Sequence, residues 1–458
     1  LSNNFSRLER TRDLLGGVSD SFCLAKWFQT TLYLQNGYNH SCHHPSPHKI
    51  PLDEIKRNYK ALHNTQHKKQ RMQEMLDGVR PSECEYCWKI EDLGKDYISD
   101  RVYKSATTWA LPRLGEAIEI GTRDHEPGYL EVSFSNVCNF KCVYCSPEIS
   151  SLWYKEIREH GGYPTSSRYN DFAYLKQTSR MPYDPNGENP YVDAFWKWWP
   201  ELWEKLHTLR LTGGEPLLSR DVWKVMDFVI ENDKPDLTFC INSNLCVQDD
   251  LIDKMIAKLN IIADKVKEVQ IFSSGEAQGS HAEYTRYGLD YERWQRNMRK
   301  VAEQCPKVLV ANMTTVNILS APTFVPFVEW LLDLREEFNP RHNFNKIQFM
   351  VNYLRYPKFL ELINLSDSQK NQFESAILKL IEKRGPSWSG PGKLLDIEID
   401  QLRRLIDYMK NTHEPDNVRD TNRRDFVKYV DEVDRRRNLD FKTTFPELMD
   451  YYKLCQAT

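Results

Sequence analysis

Beyond residue 125 the period of apolar and polar positions changes again and again along the chain. Short β-rich runs mark strands at 130–135, 208–212, 237–242, 268–273, 307–315 and 346–352. Between them apolar residues recur at helical spacing, as over 222–231, 250–262, 291–303 and 323–336. Strands alternating with helices predict an α/β fold with a parallel sheet and right-handed crossovers. Upstream, 27–34 is β-rich and is followed by Asn36-Gly37, a strong hairpin signal. Helical segments near 50–61 and 66–76 come next, and amphipathic helices near 393–413 and 423–437 close the chain.

Two stretches break the alternation. The segment 161–189 is rich in Tyr, Pro, Gly, Ser and Asn, and a loop of this length reads as a lid or substrate-binding excursion. The run Phe195-Trp196-Lys197-Trp198-Trp199 then reads as a helix packed on the sheet. The expected divisions are 1–105, 125–360 with an insertion at about 161–206, and a helical region at 361–458.

With 62 basic and 65 acidic residues the net charge is −3, so no global field points to nucleic acid or membrane. No apolar run approaches the ~20 residues of a membrane span. Eleven cysteines, several at ligand spacing, suit a reducing cytoplasm better than a disulfide framework.

The chemistry is concentrated in Cys138, Cys142 and Cys145. Their spacing is C-x3-C-x2-C, directly after the 130–135 strand. Three thiolates on one loop can converge on a soft metal centre. An iron–sulfur cubane normally takes four, so three leave one iron open. A zinc knuckle, or three unrelated buried thiols, is the bland alternative. After the second barrel strand comes Thr212-Gly213-Gly214-Glu215-Pro216. Its glycines permit close backbone approach, and its carboxylate can accept hydrogen bonds from an ammonium.

Together these motifs resemble the signature of the radical S-adenosylmethionine (SAM) enzymes. The resemblance implies a partial (β/α)6 barrel of the TIM type, with the site at the C-terminal strand ends. It implies a [4Fe–4S] cluster on the three cysteines whose open iron chelates SAM, and reductive cleavage of SAM to a 5′-deoxyadenosyl radical. Tyr144 fits the aromatic position before the last cysteine. Gly213, Gly214, Glu215 and Pro216 match the motif that contacts the SAM amine. Asn242, Asn244 and Ser273 stand where related enzymes bind ribose. Arg286 resembles the arginine that clamps the SAM carboxylate; the alternative is a surface arginine paired with Glu283 or Asp290. Asn317, Asn352 and Tyr353 match barrel positions more weakly. An external electron donor such as flavodoxin or ferredoxin is also implied.

Cys23, Cys42, Cys84 and Cys87 form a second set, the last two as C-x2-C. A hairpin would return Cys42 beside Cys23. Four thiolates fill a cubane or a structural zinc site equally well. Their order resembles the Twitch module, a shortened relative of the SPASM domain that holds an auxiliary iron–sulfur cluster, although here it precedes the barrel. The neighbouring redox domain favours a cluster. His40, His43 and His44 rank below the thiolates as ligands. Cys240, Cys246, Cys305 and Cys455 read as buried structural thiols, one of which could donate hydrogen to a substrate radical. The Arg435-Arg436-Arg437 run reads as a solvated face.

Relatives carrying auxiliary clusters often modify ribosomally made peptides or proteins, so a peptide or protein substrate is the first expectation. A small-molecule enzyme acting on a sugar or nucleoside is the second. A nucleic-acid-binding metalloprotein is the reading from another class, and the Gly-Gly-Glu-Pro motif argues against it.

Overall fold

The structure is a computed structural model that describes residues 2–94, 96–386 and 390–458. Its strands, in chain order, are β1 (Gln29–Tyr33), β2 (Tyr38–His40), β3 (His48–Lys49), β4 (Tyr129–Ser133), β5 (Lys141–Cys142), β6 (Thr208–Thr212), β7 (Lys234–Ser243), β8 (Val266–Ser274), β9 (Arg286–Tyr287), β10 (Val308–Met313) and β11 (Ile347–Met350). The chain folds as two compact units. One is Leu1–Ser135, Pro182–Gly213 and Lys234–Cys240; the other is Asn136–Met181, Gly214–Asp233 and Ile241–Thr458. All six expected barrel strands are present, and parallel strands alternating with helices give the fold of a partial TIM-type barrel.

In the first unit the strand order is β3-β2-β1-β4-β6-β7. β1 runs parallel to β4, with Leu32 opposite Val132, and β4 runs parallel to β6, with Val132 opposite Leu211. Strand alternation places Leu32, Leu130, Val132, Leu209 and Leu211 on one face, all fully buried. Thr31, Glu131, Ser133, Arg210 and Thr212 lie on the other.

Two expectations change here. The run 27–34 is not one strand: Leu24–Phe28 is a short, wholly buried helix, and only Gln29–Tyr33 is extended. A short apolar run gives no periodicity by which to separate the two. β1 joins the barrel sheet through β4, so the upstream segment is not set off at residue 105. β1 is also flanked by β2 and β4, which leaves β3 as the edge on that side. The expected turn does form: Gly37 takes φ +67°, and a side chain there would drive into the ring of Tyr191.

In the second unit the last residues of β7 are followed in the sheet by β8, β10 and β11. Val310 is opposite Ile271 and Ile347, and all three are fully buried. The helices Arg220–Glu231, Asp249–Ile262, Tyr291–Gln304 and Phe324–Phe338 lie between the strands in sequence. The part of the excursion in this unit is fastened to the helix Asp416–Arg437, where Ser166 N–H donates to both oxygens of Asp425 at 3.0 and 2.9 Å.

The C-terminal helices are part of this unit's core. Arg335 and Glu398, both nearly inaccessible, form a two-pronged pair, with Nη1 to Oε2 at 2.8 Å and Nη2 to Oε1 at 2.5 Å. Arg335 Nε also donates to the Ile347 carbonyl at 2.8 Å. Glu398 accepts from the backbone N–H of Phe349 at 3.2 Å, and Gln401 from that of Val351 at 2.9 Å. The outward amides of edge strand β11 are therefore satisfied by a helix rather than left as a template for another strand. Removing one member of such a pair leaves a buried unpaired charge. Glu398→Ala should therefore lower the unfolding free energy by about 3–5 kcal/mol, measured as a shift in denaturant midpoint.

Candidate functional site

The loop carrying Cys138, Cys142 and Cys145 lies in the second unit, and much of its backbone is hydrogen-bonded. Cys138 N–H donates to Ser151 Oγ at 3.1 Å. Ser150 Oγ donates to the Phe140 carbonyl at 2.7 Å, and Trp153 Nε1 to the Cys142 carbonyl at 2.8 Å. These three residues open the helix Ser151–His160, which Ser150 caps. From the C-terminal helix, Arg437 Nη1 donates to the Lys141 carbonyl at 2.7 Å, and Tyr429 donates its hydroxyl to Val143. Satisfying these groups fixes the loop and leaves the thiols to be presented as a set.

Electrostatics favour a thiolate at Cys142. β5 pairs antiparallel with β9, which puts Arg286 directly opposite Cys142. Arg286 Nη1 lies 4.0 Å from Cys142 Sγ. A hydrogen bond from Cys145, helped by the Arg286 charge, draws the Cys142 thiol below its ordinary range despite burial. Phe140 N–H points at Cys138 Sγ from 3.4 Å. Burial raises the Cys138 thiol, and the hydrogen bond to Cys142 with burial raises that of Cys145, so a cluster would have to displace their protons. Three clustered thiols with nearby charge and an N–H···S contact fit such a group.

Gly214 and Glu215 sit against the start of this loop. Glu215 N–H donates to the Val137 carbonyl at 2.7 Å, and a side chain at Gly214 would strike the carbonyls of Asn136 and Val137. Gly213, in the first unit, has φ +138°, and an added Cβ would lie 3.1 Å from Ser133 Oγ and the Ser135 carbonyl. The motif's glycines are required by close packing as well as by any ligand. Pro216 opens the short helix Pro216–Leu218.

The Glu215 carboxylate is 2% exposed. It accepts from Leu217 N–H at 3.1 Å, Ser243 Oγ at 2.9 Å and Asn244 N–H at 2.7 Å. Asn244 in turn donates to Asn139 Oδ1 at 2.8 Å, which ties the third strand's end to the cysteine loop. Asn242 Nδ2 lies 3.9 Å from Met313 Sδ.

Other residues are used differently from the sequence expectation. Arg286 is buried and gripped by Glu276, with Nε at 3.0 and 3.1 Å and Nη2 at 2.5 Å. Its partner is neither Glu283 nor Asp290. Tyr144 donates to the same Glu276 at 3.0 Å. Ser273 is fully buried beneath Trp294, whose indole donates to its hydroxyl at 2.9 Å. Asn317 caps its own turn through Leu319 N–H at 3.0 Å, and Tyr353 stacks on Tyr408. Arg437 is not on a solvated face: it is 4% exposed and paired with Glu156 at 3.1 Å. Sequence reasoning missed Glu276, Glu156 and Arg437, because a single charged residue, in a loop or on a helix, carries no mark of burial.

The upstream cysteines lie in the first unit. Cys23, Cys42, Cys84 and Cys87 all line one small cavity. Lys26, 4% exposed, shares it and pairs with Glu83. Burial pushes the Cys84 and Cys87 thiols up to about 12, so a bound ion would have to displace their protons. His44 also lines the cavity but is held by Asp100 at 2.6 Å, while His40 meets Tyr33 at 3.3 Å and His43 faces Glu131 at 3.8 Å. Among the described residues no three Cys, His, Asp or Glu side chains are drawn to the common distance of a single bound ion. Cys240, Cys246, Cys305 and Cys455 are buried.

Residues 132–331 match the radical SAM superfamily. The chain carries a radical SAM domain. The match contains Cys138, Cys142, Cys145 and the Gly213–Pro216 motif, and it excludes the four upstream cysteines. Among curated proteins, a GTP 3′,8-cyclase of Campylobacter lari is 27% identical over 145 residues, 31% of this chain and 35% of that protein. One from Nautilia profundicola is 30% identical over 117 residues, 25% and 27% of the two chains. The chain therefore spans about a third of the length of the curated relatives it matches. Among solved structures, Streptococcus suis SuiB bound to S-adenosylmethionine is 13% identical, with a TM-score of 0.36 over 70% of this chain and 64% of that one. SuiB bound to its precursor peptide SuiA is 15% identical, with a TM-score of 0.35 over 74% and 65%. No helix among the described residues is long and apolar enough to cross a membrane.

Burial raises the Glu215 carboxyl from its ordinary 4.5 to about 7. A raised carboxyl stabilises the fold fully below the unfolded value, and that stability is lost as pH climbs through the folded one. Metal-free protein should lose about 3 kcal/mol relative to Glu215→Gln between pH 5 and pH 8, measured by urea unfolding at the two pH values.

Proposed function

We propose that this protein is a radical SAM enzyme that cleaves S-adenosylmethionine reductively and abstracts a hydrogen atom from a substrate. The observation that carries the reading is the seating of Gly214 and Glu215 against Asn136 and Val137, next to the first cysteine. Cys138, Cys142 and Cys145 would hold a [4Fe–4S] cluster. Bound there, the cluster supplies an open iron for the amino-acid end of SAM and the electron for its cleavage; a flavodoxin or ferredoxin is the proposed donor. Glu215, already holding three donors, has acceptor capacity left for the SAM ammonium. Asn242 and Asn244 are the candidates for ribose. Arg286 holds Cys142 and Glu276 in place instead of clamping the SAM carboxylate, and Ser273 supports Trp294 instead of meeting ribose.

Cys23, Cys42, Cys84 and Cys87 are proposed to hold an auxiliary cluster in a Twitch-like module. Four thiolates leave it no open iron, so its part would be electron transfer. The proposed substrate is a peptide or protein, a reading that rests on this second cysteine set. The GTP 3′,8-cyclase names of the curated relatives favour a second reading, a nucleotide substrate.

One anaerobic preparation tests these assignments together. It should carry about eight irons and eight sulfides per chain, and about half of that after Cys138, Cys142 and Cys145 are replaced by Ala. Reduced with dithionite, the intact protein should convert SAM to 5′-deoxyadenosine and methionine, and the triple variant should not. Zinc without sulfide in the remaining half removes the auxiliary cluster. Deuterium passing into 5′-deoxyadenosine from a labelled peptide encoded beside the gene supports the first substrate; transfer from GTP alone supports the second.

A further inference from the structure

The helical region after the barrel holds a cavity of about 610 Å³ that none of the chemistry above uses. That is the size of a small-molecule site. It lies between the start of the helix Asp367–Arg384 and the first half of Asp416–Arg437, within one unit. Its charges do not balance. Arg419 and Arg423, one helical turn apart, line it from one side, and Lys370 from the other. Arg423 and Lys370 have no ion-pair partner among the described residues. The Nε groups of Arg419 and Arg423 are both buried without an acceptor.

Two acids line the wall. Glu414 pairs with Lys358, and Asp416, which does not line it, holds Arg419 through Nη2 at 2.7 Å. Asp367 is the one lining acid without such a pair. The helix N-terminus is not the attraction, because Ser366 and Gln369 already close it as a capping box. Burial is the first cause of the lowered pKa of Lys370; Asp367 opposes it, and the Arg419 and Arg423 charges add to it.

We propose that this cavity binds the phosphoryl group of a small ligand. Three cationic groups reach it from two helices, and two of them carry buried N–H donors in need of an acceptor. A tetrahedral oxyanion with three or more acceptor oxygens answers donors arriving from different directions. A planar carboxylate answers a single guanidinium fork. The site stands independently of the SAM chemistry, so its failure and the failure of that reading are separate results.

The test is titration calorimetry of the full-length protein, prepared anaerobically, with inorganic phosphate, pyrophosphate and citrate. Phosphate or pyrophosphate should bind saturably, and more weakly as salt is raised. Arg423→Gln and Lys370→Gln should each weaken binding by about tenfold. Both side chains are partly exposed, so the variants should keep the wild-type iron content and unfolding temperature without ligand. The rise in unfolding temperature that phosphate gives the wild type should be absent from both. Three results overturn the proposal: no saturable binding of either phosphate, equal affinity in wild type and both variants, or citrate binding as tightly as pyrophosphate.

Discussion

The Glu156 carboxylate is the constraint on which the cysteine loop depends. It is 4% exposed, and burial alone would neutralise it. Arg437 reaches both of its oxygens at 3.1 Å, Lys141 donates at 2.5 Å, and Tyr163 donates at 2.7 Å. These partners outweigh burial and hold the carboxyl down at about 2. Each comes from a different part of the chain: Lys141 from the cysteine loop, Tyr163 from the excursion and Arg437 from the C-terminal helix. One buried anion therefore joins all three to the helix that follows the cysteines.

From that anchor the remaining geometry is set in short steps. Arg437, held by Glu156 and within 3.4 Å of the Tyr163 hydroxyl, donates through Nη1 to the carbonyl of Lys141, in the strand β5 that pairs with β9. The β5–β9 register then puts Arg286 opposite Cys142, and Glu276 fixes its guanidinium. Buried pairs of this kind add little net stability, because desolvation cancels most of their attraction. Their contribution is a single geometry, which a cluster-binding loop needs more than it needs stability.

Much of this was legible in the sequence. The barrel strands declare themselves because each is a short β-rich run bounded by a helical repeat. The cysteine spacing and Gly213–Pro216 are each contiguous motifs, so each is legible without any knowledge of the long-range fold. What failed was whatever depends on a distant partner. Leu24–Phe28 is buried on every side and only five residues long, so its helix could not be told from a strand. The parallel pairing of β1 with β4 joins residues about a hundred positions apart, and no local signal announces it. Arg437 looked like a neighbour of the exposed Arg435, yet two residues along a helix turn a side chain by about 200°, from solvent into the core. Glu276 and Glu156 are single acids whose meaning comes only from the arginines that reach them.

The cysteine loop is held in shape by the chain itself, through Glu156. Hydrogen exchange of metal-free, full-length Glu156→Ala tests it most directly. Without the carboxylate, Arg437 becomes a buried cation and Lys141 a half-buried one, both without this counter-charge. Amide exchange across 138–145 should then quicken by at least about tenfold, together with 161–163 and the end of the C-terminal helix, while β8 and β10 keep their protection. Unchanged protection of 138–145 in the variant would contradict the account.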